Sequence, residues 1–201
     1  MKYFKELKKK HLEDKELLKR FLEIENTFYV SNSADEISRS DLMVYDEYDI
    51  KRMFKECEYI LGCFEDGKLI GYLALEKGNF KFAKEQGETY VYNFMVDPEY
   101  SQDGLGTRMF QRAFRDHISK MQDRNLITLE VEYGLPAEEL YKKLGFKEVN
   151  YKPNKLIEYD DGCPQKIMCV TKEELGKNLE ERTKRILKRK ILEKKSEEYS
   201  K

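Results

Sequence analysis

Two glycines, Gly104 and Gly106, stand at the start of a helical pattern that follows closely on a strand-like run. Glycine carries no side chain, so the backbone can approach a ligand closely at these positions. The first N–H groups of a helix have no partner within the helix, and they carry the positive end of its dipole. These features predict a binding site for a phosphate group or another anion at residues 102–107.

The elements on either side of the glycines determine where this anion site would lie. Residues 90–96 are rich in aromatic and β-branched side chains, which favours a strand. Phe110, Phe114 and Ile118 then recur at the spacing of one face of a helix. The glycine-bearing turn therefore joins a strand to an amphipathic helix.

A second pattern of the same kind follows. Residues 126–133 alternate between apolar and polar side chains, as a half-buried strand does. Pro136 is well placed to open a helix, and Gly145 to close it. The chain thus contains two consecutive units of strand, turn and helix.

The two units carry the patterns V-x-P-x-Y-x-x-x-G-L-G-T, from Val96, and A-x-x-L-Y-x-x-x-G-F, from Ala137. In this order and at this separation they resemble the GNAT superfamily of N-acetyltransferases. The resemblance covers about Tyr59 to Lys172. It implies a mixed α/β (α+β) fold whose largely antiparallel sheet has helices on both faces and is splayed open between the Tyr90 and Leu126 strands. Acetyl-CoA would enter this wedge.

The resemblance also assigns roles to residues. Backbone groups near Met95 would hold the pantetheine arm of acetyl-CoA and polarise the thioester carbonyl, and the turn 102–107 would hold the pyrophosphate. Tyr141 would act as the general acid that protonates the departing CoA thiolate. The cofactor-binding residues that the resemblance implies are Phe94, Met95, Val96, Gln102, Asp103, Gly104, Leu105, Gly106, Thr107 and Ala137.

The implied reaction is transfer of an acetyl group to a primary amine, and the attacking amine must lose a proton. A base near the first strand is therefore expected, acting directly or through one water molecule. Glu88, at the start of that strand, is our candidate. Glu130 and Glu132 on the next strand compete with it, and each of these glutamates also fits a solvated carboxylate at a strand end.

Three positions depart from the family pattern. Ser101 stands where the family usually has Arg or Gln, Asp103 where a basic or small residue is common, and Gly134 where Asn is common. A carboxylate beside a pyrophosphate is unfavourable unless it faces solvent or caps the helix, and we favour the cap. These departures support an alternative function, a non-catalytic acyl-CoA-binding regulatory module that binds without turnover.

The composition of the 201 residues argues against several other classes. A mean hydropathy of -0.80, with no run of about 18 uncharged apolar residues, predicts no membrane association. The first residues lack the apolar segment of a secretory signal, so we expect a cytoplasmic protein. The four cysteines show no C-x-x-C pairing and there are only two histidines, which predicts reduced thiols and no metal site.

Charge is unevenly distributed along the chain. The net charge is -1 overall, but it is +2 in residues 1–25 and +4 in residues 172–201, which leaves -7 for residues 26–171. An acidic catalytic body attracts a cationic acceptor, so we expect a small amine-rich molecule or a lysine-bearing peptide as substrate. Ordinary solubilising charge is the competing interpretation. The candidates on the substrate side are Asp41, Asp46, Glu47 and Asp49.

Patterns outside the two motifs complete the expected architecture. Leu17 and Phe21 belong to an amphipathic helical pattern, whereas the polar stretch 29–48 favours a loop with a short helix. Asp66 and Gly67 between two apolar runs predict a β-hairpin. A short strand is expected at residues 2–7.

We interpret residues 1–201 as one domain with three parts. Residues 1–57 would form a helical region on the substrate side, 58–171 the acetyl-CoA-binding core, and 172–201 a charged C-terminal helix. The apolar stripe of that helix would dock on the domain, on a second subunit of a homodimer, or nowhere stably. Its basic run at 184–190 is flanked by glutamates, which favours a solvated, salt-bridged helix over a nucleic-acid-binding one.

Overall fold

The computed structural model describes residues 1–32, 45–80, 83, 86–101, 104–132, 135–150 and 165–199. Side chains are described in these ranges except at residues 28–32, 132, 165 and 190–199.

A seven-stranded sheet in the order β1-β2-β3-β4-β5-β7-β6 forms the centre of the described part of the molecule. The strands are β1 (Lys2–Leu7), β2 (Tyr59–Glu65), β3 (Lys68–Lys77), β4 (Glu88–Val96), β5 (Leu126–Glu132), β6 (Lys147–Glu148) and β7 (Gln165–Thr171). Neighbouring strands are antiparallel except β4 and β5, which run parallel. The largely antiparallel sheet expected from the sequence is confirmed.

The hairpin of β2 and β3 turns at Asp66 and Gly67, as predicted. Both residues have positive φ, 49° and 86° respectively. A two-residue loop with two such residues matches the right-handed twist of the strands that it joins. The hairpin places β3 next to β4 over almost the whole length of β4.

Five α-helices pack against this sheet within the described ranges: α1 (Lys15–Asn32), α2 (Glu47–Glu56), α3 (Leu105–Asp116), α4 (Pro136–Lys143) and α5 (Lys172–Tyr199). The loop expected at 29–48 is wrong at both ends, because α1 continues to Asn32 and α2 begins at Glu47. Neither end carries a glycine or proline that would stop a helix. None of the described helices is long and apolar enough to cross a membrane.

The helices lie on both faces of the sheet, which confirms the expected arrangement. On one face, α1 and α2 form a core with strand residues such as Tyr72, which is fully buried beside Phe21. On the other face, α3, α4 and α5 cover a second core that contains Phe110 and Leu129. Burial of apolar side chains on both faces holds β4 firmly at the middle of the sheet.

Helix α5 docks on the domain, which is one of the alternatives left open by the sequence. Leu175 and Leu179 are buried in the core beneath α3 and α4. A Cβ built on Gly176 would lie 2.8 Å from Cζ of Phe114 on α3, so α3 and α5 approach each other closely there. The Asn178 side chain donates to the carbonyl of Leu144 at the end of α4 (3.1 Å).

Strands β4 and β5 stay together only briefly. Their register contains three pairs, from Glu88 opposite Leu126 to Tyr90 opposite Thr128. Beyond these pairs β4 continues to Val96 beside β3 alone, while β5 continues beside β7. The sheet therefore opens into the wedge that the sequence predicts.

Candidate active site

The mouth of the wedge lies where β4 leads into α3. Asp97 directly follows the strand. Its carboxylate accepts a hydrogen bond from the N–H of Glu99 (3.0 Å) and forms an ion pair with Arg20 on α1. Arg20 also donates to the carbonyl of Leu69 on β3 (2.8 Å). This network fixes the end of β4 against α1 and β3, so the turn that follows has a defined starting direction.

The first turn of α3 is uncapped by any described side chain. Gly104 is the N-cap residue and has φ 66°, a conformation that glycine adopts without strain. The first described N–H of this helix bonded to a carbonyl is that of Arg108, which donates to Gly104 (3.2 Å). Among the described residues, the N–H groups of Leu105, Gly106 and Thr107 have no acceptor, which leaves them able to bind an anion.

Gly106 lets three elements meet behind this turn. A Cβ built there would lie 2.7 Å from Cδ2 of Leu140 on α4 and 3.0 Å from Cζ of Phe94 on β4. A side chain there would displace the ends of the Leu140 and Phe94 side chains from this contact. The two glycines thus have different tasks: Gly104 supplies the backbone conformation and Gly106 the close approach.

Strand β4 carries a bulge next to the place where the wedge opens. Val91 pairs with Leu75 and Asn93 pairs with Ala74, so Tyr92 is an extra residue in β4. A bulge bends its strand and redirects the side chains around it. Val91 and Phe94 consequently face the core of α3 to α5, whereas Tyr92 and Met95 face α1 and α2.

Tyr141 on α4 reaches into an aromatic cluster beside the wedge. Its ring centroid lies 6.2 Å from those of Phe94 and Phe110 and 5.7 Å from that of Phe146. Burial raises the pKa of the phenol well above its usual range. The hydroxyl has no hydrogen-bond partner among the described residues, and it stays protonated at neutral pH. A protonated phenol here is able to donate a proton or a hydrogen bond to a ligand.

Glu88 lies on the other face of the sheet, where β4 and β5 still pair. Its carboxylate accepts hydrogen bonds from the hydroxyl of Thr128 and from the N–H of Phe80 (2.9 Å for the latter). Burial raises the pKa of this carboxyl, and the two hydrogen bonds oppose the rise. Glu88 and Tyr141 therefore approach the β4–β5 junction from opposite faces.

The sequence model of the acetyltransferase (GNAT) family matches residues 18–146, about two thirds of the chain. The chain belongs to this family.

Individual GNAT relatives match over shorter stretches. A segment of 71 residues is 35% identical to the ribosomal protein bS18-alanine N-acetyltransferase of Escherichia coli K12, and it covers 33% of this chain and 45% of that protein. A segment of 87 residues is 28% identical to an uncharacterized N-acetyltransferase of Methanocaldococcus jannaschii, covering 43% and 38% respectively. The matched segments span less than half the length of these relatives.

Solved GNAT structures match over most of the chain. The PaiA N-acetyltransferase of Thermoplasma acidophilum, crystallised with coenzyme A, has a TM-score of 0.58 and 18% identity over 85% of this chain and 99% of its own. The ribosomal-protein-S18-alanine N-acetyltransferase of Escherichia coli has a TM-score of 0.56 and 20% identity over 85% and 94%. At these identities the likeness concerns the fold.

Several residues that the sequence singles out lie outside the described part of the chain. They are the expected cofactor residues Gln102 and Asp103, the substrate-side candidate Asp41, the departure from the family pattern at Gly134, and the expected reduced thiol Cys163. The side chain of Glu132 also lies outside the described part. The other expected cofactor residues, from Phe94 to Val96 and from Gly104 to Thr107, line the end of β4 and the start of α3, and Ala137 lies in the first turn of α4.

The acidic candidates on the substrate side have structural partners. Asp46 caps α2 by accepting from the N–H groups of Tyr48 and Asp49, and the Asp49 carboxylate accepts in return from the N–H of Asp46. Glu47 pairs with Lys51 (2.8 Å). Such a reciprocal capping box stabilises a helix start, so two of these carboxylates have a task independent of substrate.

No metal-binding cluster of three or more His, Cys, Asp or Glu occurs among the described residues. Cys57, Cys63 and Cys169 are free thiols. A groove of about 740 Å³ lies away from the wedge, between the end of α3 and the start of α5, where Phe114 and Lys177 line it. The residues that line it include neither the glycine turn nor Glu88 or Tyr141.

Sequence reasoning missed a buried carboxyl, Glu25 on α1. One of its oxygens accepts a hydrogen bond from the Asn93 amide beside the β4 bulge (2.6 Å), and Asn93 also contacts the hydroxyl of Tyr72 (3.0 Å). The other oxygen is buried and has no partner among the described residues. Burial raises the pKa of Glu25 to about 8, the hydrogen bond from Asn93 opposes this, and the charge of Asp49 adds to it.

Glu25 should make the stability of the protein depend on pH. The unfolded chain releases this proton near the ordinary carboxyl pKa, whereas the folded chain holds it up to about pH 8. Between these values the folded state binds more protons, so the free energy of unfolding falls as pH rises. This fall should be on the order of a few kcal/mol, and Glu25→Gln should remove it. Urea unfolding followed by circular dichroism at several pH values measures the free energy of unfolding.

Glu23→Gln is the matched control, because Glu23 lies on the same helix with its side chain 44% exposed. The free energy of unfolding of this variant should depend on pH as that of the unmodified protein does. If the free energies of unfolding of Glu25→Gln and of the unmodified protein changed with pH in the same way, the pKa of Glu25 would not be raised by folding.

Proposed function

We propose that this protein transfers an acetyl group from acetyl-CoA to a primary amine on a small cationic molecule or a peptide. The observation that carries the proposal is the joint placement of the opened β4–β5 wedge and, at its mouth, the start of α3, which no described side chain caps. This arrangement offers an extended strand edge for the pantetheine arm and a separate group of N–H donors for the phosphates. We further propose that the enzyme works in the cytoplasm.

In this proposal, β4 binds the donor along its free edge. Beyond Tyr90 no described residue pairs with the strand on its β5 side, so backbone groups near Phe94, Met95 and Val96 are available to the pantetheine amides and to the thioester carbonyl. Donors directed at that carbonyl oxygen stabilise the negative charge that develops on it during attack. The N–H groups of residues 104–107 would bind the pyrophosphate, together with Gln102 and Asp103 of the same turn.

The proposed chemistry is a direct transfer. The amine nitrogen forms a bond to the thioester carbon, and the bond from that carbon to sulfur then breaks. Glu88 takes the proton that the amine loses, and Tyr141 gives a proton to the departing thiolate. Because the strands separate between these two residues, a thioester held in the gap is reachable by an acceptor from the Glu88 face and by Tyr141 from the other.

The acceptor class rests on charge and on one relative. The net charge of -7 on residues 26–171 favours a cationic acceptor. One relative is named for acetylating an alanine of ribosomal protein bS18, which is an acceptor on a protein. A primary amine, on a peptide or on a small polycation, satisfies both considerations.

Binding of acetyl-CoA should depend on Gly104. In Gly104→Asp, a carboxylate would face the proposed pyrophosphate, and a Cβ there would lie 3.3 Å from Cδ1 of Ile186 at a positive φ. We expect binding weaker by roughly 100-fold or more, equivalent to about 3 kcal/mol, in calorimetric titration of acetyl-CoA.

Gly67→Asp is the control for backbone strain and added charge. Gly67 also has a positive φ, and a Cβ there would meet nothing within 4 Å. This variant should bind acetyl-CoA like the unmodified protein. A lack of acetyl-CoA binding by the unmodified protein would refute the proposed function.

Replacing either proposed catalytic residue should slow turnover without removing the donor site. Tyr141→Phe keeps the aromatic packing and loses the proton donor. Glu88→Gln keeps the size of the side chain and loses the base. We expect kcat to fall by about 10²-fold or more in each, with the Kd for acetyl-CoA within about twofold, measured by CoA release and by calorimetry.

Glu25→Gln is the companion variant, since it removes the other buried carboxyl near β4. If its kcat falls by the same factor while that of Glu88→Gln does not, Glu25 is the base. Tight binding of acetyl-CoA without turnover of any amine would instead support the non-catalytic acyl-CoA-binding module.

Acceptor selectivity should follow charge. With a neutral amine, a peptide bearing an N-terminal alanine and lysines, and a linear polyamine, kcat/KM should rise with the positive charge of the acceptor. Added salt should reduce the differences, because it screens long-range attraction. Equal kcat/KM values across the panel would contradict the cationic acceptor class.

A further inference from the structure

Helix α5 runs past the proposed phosphate turn. Gly176 near its start lies against Phe114 near the end of α3, whereas Ile186 further along lies against Gly104 at the start of α3. The two helices are therefore antiparallel. Between these points Arg182 donates through Nε to the hydroxyl of Thr107, in the first turn of α3 (3.3 Å).

Arg182 differs from most arginines of the protein in having no carboxylate partner among the described residues. The arginines with an ion pair are Arg20, Arg52, Arg112, Arg115, Arg124 and Arg185. Arg182 is half-buried, and burial lowers the pKa of its guanidinium, with a further lowering from the charge of Arg185. A half-buried cation without a counter-ion is unfavourable.

The position of Arg182 beside the first turn of α3 adds to this imbalance. The start of a helix carries the positive end of its dipole, and a cation there is repelled. Arg108, the next residue after Thr107, also has no carboxylate partner within the described ranges, and its Nε is buried without a hydrogen bond. Among the described residues, positive charge is therefore concentrated around a helix start that no side chain caps, which is the arrangement that an anionic ligand stabilises.

The packing of α5 keeps Arg182 in place. Leu175 and Leu179 anchor the helix in the core, and the Asn178 side chain binds the end of α4. Ser101, in the turn itself, is not a substitute, because its hydroxyl donates to the carbonyl of Pro98 (2.9 Å). The side-chain cation that contacts Thr107 thus comes from a helix outside residues 18–146.

We propose that Arg182 of helix α5 binds the pyrophosphate of acetyl-CoA together with the N–H groups at the start of α3. The guanidinium and the helix start then share one dianionic ligand, which neutralises both. This assignment rests on the proposed function, and it makes the C-terminal helix part of the donor site.

The test compares Arg182→Gln with Lys184→Gln on the full chain. Both variants remove one positive charge from the same helix, and glutamine at 182 keeps a side-chain donor for Thr107. Lys184 is exposed, and it lies about 200° around the helix from Arg182. Calorimetric titration uses CoA and dephospho-CoA, which retains the pyrophosphate but lacks the 3′-phosphate.

We expect Arg182→Gln to raise the Kd of both ligands by about 10- to 100-fold. Lys184→Gln should change these Kd values by less than about twofold. The loss of affinity in Arg182→Gln should become smaller as the salt concentration rises, because salt screens an ion pair. A loss caused by a packing defect would not depend on salt in this way. Thermal unfolding of the variants verifies that α5 remains docked.

Each other outcome has a distinct meaning. If Arg182→Gln weakened the binding of CoA but not that of dephospho-CoA, Arg182 would bind the 3′-phosphate, and the proposal would be overturned. Unchanged or tighter binding by Arg182→Gln would also overturn it, and tighter binding would show that α5 obstructs the site. Failure of the unmodified protein to bind either ligand would instead refute the proposed function itself.

Discussion

The three residue pairs between β4 and β5 are the constraint on which the rest of the site depends. Parallel strands need a long crossover between them, and here that crossover contains α3. The crossover starts where β4 ends, so the start of α3 necessarily lies at the open end of the wedge. The ion pair of Arg20 with Asp97 then holds this end of β4 against α1. A longer β4–β5 ladder would close the gap and remove the free strand edge.

Charge inside the molecule is distributed unevenly around this gap. Glu88 has hydrogen-bond donors for both carboxylate oxygens, whereas Glu25 has one orphaned oxygen and Arg182 has no counter-ion among the described residues. Groups that cost stability where they stand commonly mark functional sites. In this molecule they lie on both faces of the sheet: Glu25 on α1, and Arg182 on α5 beside the start of α3.

Local features of the fold were predictable from the sequence, because short-range chemistry determines them. Asp66 and Gly67 specify the hairpin turn, and the glycine pair before α3 specifies a close approach that the contacts of Gly106 explain. The α2 cap is also local, since Asp46 directly precedes the helix that it caps. The end of α1 could not be predicted, because no residue near Asn32 terminates a helix.

Contacts between residues far apart in the chain could not be predicted from the sequence. Glu25 looks like any charged residue beside an apolar stripe, and its partner Asn93 lies 68 positions further along. The β4 bulge depends on how β3 and β4 align, which no local pattern encodes. The stripe of α5 showed that one face was apolar, but not that this face would bring Arg182 to Thr107. The roles expected for Tyr141 and Glu88 stay predictions.

The order of elements along the chain has a consequence for synthesis. All seven strands and the glycine turn precede α5, so the ribosome makes the sheet and α3 before the helix that covers them. Until α5 emerges, the surface that receives Leu175 and Leu179 is exposed to water. During this interval the nascent protein presents a bare apolar patch to chaperones and to neighbouring chains. Docking of one late helix then buries that patch.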